Sequence, residues 1–443
     1  MNQNDNDKNT STSRRGFIKS TAAAAVGASL VTNAQVAGAV DSSNSETIKV
    51  GLVGCGGRGR GSAVQALKAD PNTRLVALAD VFPDQIYRAV ELFKRVDDVA
   101  DRVEVPRDRF FSGFDAYQKM IDSDVDVDVV LLATPPHFRP YQLEACIKAG
   151  KHVFAEKPVA VDAAGIQKVI AACDEAKKKD LAVVSGLCWR YHSFARAAIE
   201  KVHDGAIGRI VSTQSVYNAS RPGKEWPMKR EDSWGDMEWQ LRNWYWFTWL
   251  SGDHIVEQAI HSMDKIAWAM HDEPPVSAVS LGGLQARHDT PLGTIFDHHA
   301  VVYEHANGVK HFHSCRQQPG CKNDVSTHII GTDGVCEVEK AIIRDHDGET
   351  VWRYRGEKGR PMHQVEQDEL FASIRAGKPI NNGDYMSKST MLAILGRMAS
   401  YTGQKVTWEQ AMNSKEDFTP ASYAWDVKLE VPPIAVPGVT PFV

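Results

Sequence analysis

Hydrophobic and polar positions follow two regimes along the chain, and the change comes near Ser185. Before it, short apolar runs of strand type at 48–53, 74–79, 128–133, 152–155 and 182–185 alternate with segments of helical period near 61–69, 83–97, 113–122, 139–149 and 162–178. This alternation predicts a parallel, doubly wound sheet that binds its ligand beyond the carboxyl ends of the strands. After Ser185 a helix to about Asp204 is followed by a long strand at 209–217. A hairpin then joins 299–304 to 309–315 around Asn307-Gly308, and a second strand pair occupies 327–331 and 334–338. Helices at about 364–376 and 384–403 follow, and the Pro- and Val-rich tail from Pro420 reads as an arm laid on the surface or on a partner subunit. Two domains are expected, a Rossmann domain over 46–185 and an α+β domain over 186–443.

The first strand ends in Gly54-x-Gly56-x-x-Gly59, with Gly57 and Arg58 inside the loop, and a helical pattern starts at once. In a dinucleotide site Gly54 turns the chain, Gly56 lets the backbone approach a pyrophosphate and Gly59 lets the helix pack on the strand. The helix N-terminus adds free N–H groups for the phosphates. The second strand ends in Asp80, about twenty residues past the third glycine, where a carboxylate accepts from a ribose 2′-OH and repels a 2′-phosphate. NAD(H) is the expected cofactor, with Arg58 and Arg60 leaving NADP(H) open. Two further strand ends carry chemistry: Thr134-Pro135-Pro136-His137 over the cofactor edge, and Glu156-Lys157-Pro158 beside it.

Composition narrows the class. Ser13-Arg14-Arg15-x-Phe17-Ile18-Lys19, a mild apolar run from Thr21 to Val31 and Ala37-Gly38-Ala39 read as a twin-arginine export signal over 1–39, too short and weakly apolar for a membrane span. That route carries folded proteins, so an enzyme could leave the cytoplasm with its nucleotide bound, and a periplasmic or secreted location is expected. Removing 1–39 takes Lys8, Arg14, Arg15 and Lys19 with Asp5 and Asp7, moving the net charge from −5 to −7, which argues against nucleic-acid or membrane partners. Seven scattered cysteines without CxxC pairs imply neither a disulfide framework nor structural zinc. His311-x-His313 and Asp297-His298-His299 lack a completed ligand set, so no metal site is expected.

The glycine loop, the Ala133-Thr134-Pro135 turn, the Ala149-Gly150-Lys151-His152-Val153 helix exit and Glu156-Lys157-Pro158 together resemble the glucose-fructose oxidoreductase / inositol dehydrogenase (Gfo/Idh/MocA) family over nearly the whole chain after residue 39. The resemblance implies a second domain built on a large, mostly antiparallel sheet covering the nicotinamide. It also implies homo-oligomers and a carbohydrate substrate. It puts Lys157 beside the nicotinamide and the reacting hydroxyl, where an ammonium can stabilise a developing alkoxide. Pro136 and Arg139 depart from the Asn and His that relatives often carry.

From Asp253 to Trp268 the apolar positions recur at helical spacing, so one helix is expected there, with Glu257 and His261 on one face. Relatives carry an acid-x-x-x-His pair here, which makes His261 the candidate base for the hydroxyl proton and Glu257 its neighbour. His254 is read three ways: sugar ligand, alternative base or helix cap. Six of eleven tryptophans fall between Trp226 and Trp249, either to stack on sugar rings or to pack on the sheet or another subunit. The leading expectation is an oxidoreductase acting on a secondary hydroxyl of a sugar, cyclitol or glycoside with tightly held NAD(H). The alternative, since some relatives are NAD-dependent glycosidases such as α-N-acetylgalactosaminidases, is hydrolysis through transient oxidation, elimination, water addition and reduction.

Overall fold

The computed structural model describes residues 46–220, 228–286 and 293–443, so the export signal over 1–39 and Trp226 lie outside the described residues. β1 (Ile48–Val53), β2 (Thr73–Asp80), β3 (Phe110–Ser112), β4 (Val129–Leu132), β5 (His152–Ala155) and β6 (Val183–Ser185) form a sheet of order β3-β2-β1-β4-β5-β6, parallel throughout. Strand order reverses between β1 and β4, where Val53 pairs with Leu132. Two loops therefore leave the sheet in opposite directions from adjacent strand ends and open a crevice there.

β7 (Ile210–Asn218) lies at the centre of a second sheet with β8 (Ser277–Gly283), β9 (His298–Glu304), β10 (Lys310–Arg316), β11 (Asp324–Gly331), β12 (Val335–Glu337), β13 (Ile342–Arg344), β14 (Thr350–Arg353) and β15 (Val406–Thr407). Its nine strands run β14-β13-β12-β11-β7-β10-β9-β8-β15, and every pair is antiparallel except β7 with β10. The expected hairpin is present as β9 and β10, and the second expected pair as β11 and β12. Strands β3, β13, β14 and β15 escaped the periodicity reading by being short, and β8 because its apolar positions, Val279 and Leu281, lie on the exposed face.

The C-terminal helices depart from a simple two-domain division. Leu370 and Phe371, on the helix Met362–Arg375, are buried with Val50, Leu52, Ala63 and Leu67 of the nucleotide-binding half. The helix Gly383–Thr402 is buried nearly all round and packs its Met391, Ile394 and Leu395 into one core with Val153, Val183, Val301 and Tyr303 from both sheets. Each such side chain contributes about 1.5–3 kcal/mol by leaving water, and Glu46–Val443 accordingly forms one unit.

The tight loop after β1 rests on two glycines. Gly54 has φ +95°, and an added Cβ would sit 2.6 Å from the Ala133 carbonyl carbon. At Gly59 a Cβ would fall 1.9 Å from the Gly54 carbonyl oxygen, so the helix Gly57–Ala69 touches the strand turn with no room for a methyl group. Gly57 has nothing within 4 Å of its Cβ position. Gly59→Ala should lower the unfolding free energy by about 1–3 kcal/mol through overpacking, whereas Gly57→Ala should leave it within about 0.5 kcal/mol. Denaturant unfolding of the two variants checks the contrast.

Candidate active site

A groove of about 290 Å³ lies over the strand-order reversal, lined by Gly54, Gly56, Gly57, Arg58, Asp80, Thr134 and Pro135 among others. Gly56 faces open space, with nothing within 4 Å of its Cβ position. A pyrophosphate at the start of the helix Gly57–Ala69 would meet free N–H groups and the positive end of the helix dipole. Asp80 closes β2: its Oδ2 accepts from Cys55 N at 2.6 Å and its Oδ1 from Phe82 N at 2.9 Å. Burial pushes its carboxyl up to about 6. The residues present thus fit a dinucleotide: open backbone where phosphates go, and a carboxylate at the ribose end.

Aromatic residues wall the far side. Phe82, Phe114, Phe138, Leu241, Arg242 and Trp244 line the groove, and Tyr245, Trp246 and Phe247 form the buried cluster behind them. The C-terminal tail closes against the same wall, with Trp425 4.7 Å from Phe114 and 5.6 Å from Phe82 between ring centroids. The tryptophan-rich stretch is therefore packing and groove wall in its described part. His137 does not line the groove, contrary to expectation. Its Nε2 lies 2.7 Å from Tyr423 Oη, its ring packs on Trp249, and burial lowers its pKa to about 4.

The end of β5 carries the next layer. Glu156 is buried, and although burial works to raise its pKa, Arg58, Lys157 and Arg139 overcome this and hold it low. Arg58 Nε donates to Glu156 Oε1 and its Nη2 to Glu366 Oε1 at 3.3 Å, so the guanidinium faces two carboxylates. This guanidinium, which left a 2′-phosphate open in the sequence reading, is occupied. Arg139 donates to the Pro158 carbonyl at 2.9 Å and the Thr134 carbonyl at 2.6 Å, tying the ends of β4 and β5 together.

Lys157 reaches across to the second sheet's helices. Its Nζ donates to Glu257 Oε1 at 2.9 Å and to the Glu257 carbonyl, with the two side chains only 12% and 10% exposed. The expected single helix is broken here into His254–Glu257 and Ile260–Ala269. Glu257 thus ends one short helix and turns its carboxylate to Lys157, while His261 opens the next, half-buried with its Nδ1 unpartnered. The break puts Glu257 and His261, expected on one face of a single helix, on two successive short helices. Burial depresses the His261 pKa well below 6.5, and the positive charges of Lys157, Lys265, His363 and Arg58 add to it. The imidazole is consequently neutral at neutral pH and able to accept a proton.

His254 is the clearest correction. It is fully buried beneath the site, 2.8 Å from Asp253, so it is neither a sugar ligand nor an alternative base. The cap of its helix is Asp253, whose carboxylate accepts from His254 N. His311 and His313 converge on Ser215 Oγ, each at 2.7 Å, as strand-packing residues. Sequence reasoning missed Glu366 and His363, which come to the site from the helix Met362–Arg375. The one available signal was a charged residue, Glu366, at a position that the helical period marks as buried.

Comparison with known proteins agrees with this geometry. A family model described as the GFO/IDH/MocA oxidoreductase family, NAD-binding Rossmann fold, matches residues 48–184, and the GFO/IDH/MocA C-terminal domain model matches 195–337. An inositol 2-dehydrogenase of Rubrobacter xylanophilus is 29% identical over 68% of this chain and 75% of its own. Glycosyl hydrolase family 109 proteins of Porphyromonas gingivalis and Solibacter usitatus are each 27% identical, over 39% and 47% of this chain. The match spans only 34% and 46% of those two relatives' lengths. Among solved structures, an aldose-aldose oxidoreductase from Caulobacter crescentus complexed with glycerol shares the fold with a TM-score of 0.62 at 21% identity, over 82% of this chain and all of its own. With its NAD-binding half and most of its second sheet matched by the family's two models, the chain belongs to the GFO/IDH/MocA oxidoreductase family.

Proposed function

We propose that this protein is an NAD-dependent oxidoreductase that removes hydrogen from a secondary hydroxyl of a sugar, cyclitol or glycoside, and that it is exported by the twin-arginine route with its cofactor bound. The observation that carries the reading is the Lys157–Glu257 ion pair, held at the carboxyl end of β5 next to the nucleotide groove with His261 on the adjoining helix. When bound, NAD supplies a hydride acceptor. Lys157 holds the substrate oxygen by a charged hydrogen bond that strengthens as negative charge develops there. His261, neutral at working pH, takes the hydroxyl proton. Glu257 aims the ammonium through its carboxylate and its backbone carbonyl. With the cofactor retained, the site is reset by reducing a second sugar or ketone.

A second reading, hydrolysis by transient oxidation, is favoured by the glycosyl hydrolase family 109 proteins among its relatives. It needs the same Lys157 and His261 plus a further base near the ring.

Mixing the protein, with its bound cofactor, with free sugars and α- and β-glycosides separates the two when nicotinamide absorbance and released sugar are followed together. We expect a stoichiometric NADH signal that a second sugar or ketone discharges. Catalytic sugar release without lasting NADH would overturn the dehydrogenase reading.

Two further outcomes follow from the site's charges. His261→Asn should cut kcat by about 10²–10⁴. In the wild type the acid limb of kcat/KM should lie well below pH 6.5, because the base stays unprotonated until its depressed pKa is reached. The Asp80 carboxyl, raised to about 6, accepts from the ribose more strongly when ionised, so NAD affinity should rise as pH rises through that value. Between pH 7.5 and 5 it should fall about tenfold in the wild type, following the ionised fraction. Asp80→Asn should bind NAD more weakly and without that slope in a calorimetric titration.

A further inference from the structure

Beneath the catalytic segment lies a buried cluster that the proposed reaction does not use. Asp253 precedes the helix His254–Glu257 and has φ +80° and ψ 159°, a region occupied almost only by glycine. A non-glycine residue stays there only when its surroundings over-determine it. Here the Asp253 N–H donates to Ser251 Oγ at 3.1 Å, its carbonyl accepts from Val256 N and Glu257 N, and its carboxylate makes the remaining contacts. Oδ2 accepts from Phe296 N at 2.8 Å and from Tyr401 Oη at 2.6 Å. Oδ1 accepts from His254 N and lies 3.3 Å from His299 Nε2.

His254 is fully buried and both of its ring nitrogens lack a partner; Nδ1 comes within 2.8 Å of Asp253 Oδ1, but out of hydrogen-bond alignment. Its ring is centred 4.9 Å from that of His299. His299, also buried, has its Nδ1 2.9 Å from Ser400 Oγ and its Nε2 hydrogen-bonded to the Asp253 carboxylate; to ligate through Nε2 it takes the other tautomer, with Nδ1 donating to Ser400 Oγ. One donor atom from each of Asp253, His254 and His299 lies within 4.8 Å of the other two.

We propose that Asp253 Oδ1, a ring nitrogen of His254 and His299 Nε2 form a structural site for a divalent transition-metal ion, zinc being the ion that two imidazoles and a carboxylate suit best. Two imidazoles on one tetrahedral ion at metal–nitrogen distances of about 2.0–2.1 Å have ring centres about 5 Å apart and donor atoms about 3.4 Å apart. The two ring centres, 4.9 Å apart, already match that arrangement, and the three donor atoms lie within 4.8 Å of one another. Ser400 behind His299, and Tyr401 with the Phe296 N–H behind Asp253, supply the outer hydrogen bonds that orient metal ligands. With all three side chains buried, the ion would not meet substrate. It would clamp the strained start of the segment whose other end, Glu257, holds Lys157.

The test is metal content and thermal unfolding of the full chain produced in zinc-supplemented medium, with His254→Gln and His299→Gln alongside. We expect about one zinc per chain in the wild type and little in either variant. Stripping with a strong chelator should lower the wild-type Tm by several degrees, and stoichiometric zinc should restore it. Should the variants not fold, the chelation and add-back of the wild type decides alone. A wild type that holds no metal and gains no thermal stability from added zinc overturns the proposal. Equal metal in wild type and folded variants overturns it too, by placing the ion elsewhere.

Discussion

The buried ion pair between Lys157 and Glu257 is the constraint on which the rest of the site depends. It joins the end of a parallel sheet to a helix of the second half, so the two halves meet where the reactive groups stand. Burying two charges is costly unless their geometry and remaining hydrogen bonds compensate, and removing one partner of such a pair typically costs about 3–5 kcal/mol. Here the Glu257 backbone carbonyl accepts from the same ammonium. The lysine is thereby fixed in position, which is what stabilising an alkoxide requires.

Around that pair the charges are arranged in depth. Arg58, from the glycine loop, lies between Glu156 and Glu366. Burial raises the Glu366 pKa well above the usual carboxylate range and its neighbour Glu156 raises it further, whereas Arg58 helps hold Glu156 ionised. One arginine thus faces two buried carboxyl groups and pulls both towards the ionised form, against the burial that favours the neutral one. Because Glu366 arrives from a helix packed on the nucleotide-binding core, the C-terminal segment contributes to the site directly as well as to the fold.

Much of this was legible in the chain because the decisive signals are local. The glycines of the first loop, Asp80 at the end of its strand and Glu156-Lys157 after the fifth strand sit at strand ends that period and spacing locate. The break at Gln258–Ala259 was invisible, since the apolar period runs through it; the pull of Lys157 on Glu257 comes from a hundred residues away. His254 misled for the same reason, as it is buried against His299, which no local pattern connects to it. The roles of Glu366 and of the tail over His137 likewise arise from contacts across hundreds of residues.

The central claim is that Lys157 and His261 serve hydride removal from a secondary carbinol carbon. The most direct measurement uses sugars and cyclitols deuterated at individual carbinol carbons, with mass analysis of the nicotinamide recovered from the protein after one turnover. The account predicts that one labelled position transfers its deuterium to the cofactor, and that Lys157→Met and His261→Asn, still binding NAD, transfer almost none. Turnover of a substrate with no deuterium reaching the cofactor from any carbinol position, or undiminished transfer in both variants, would contradict it.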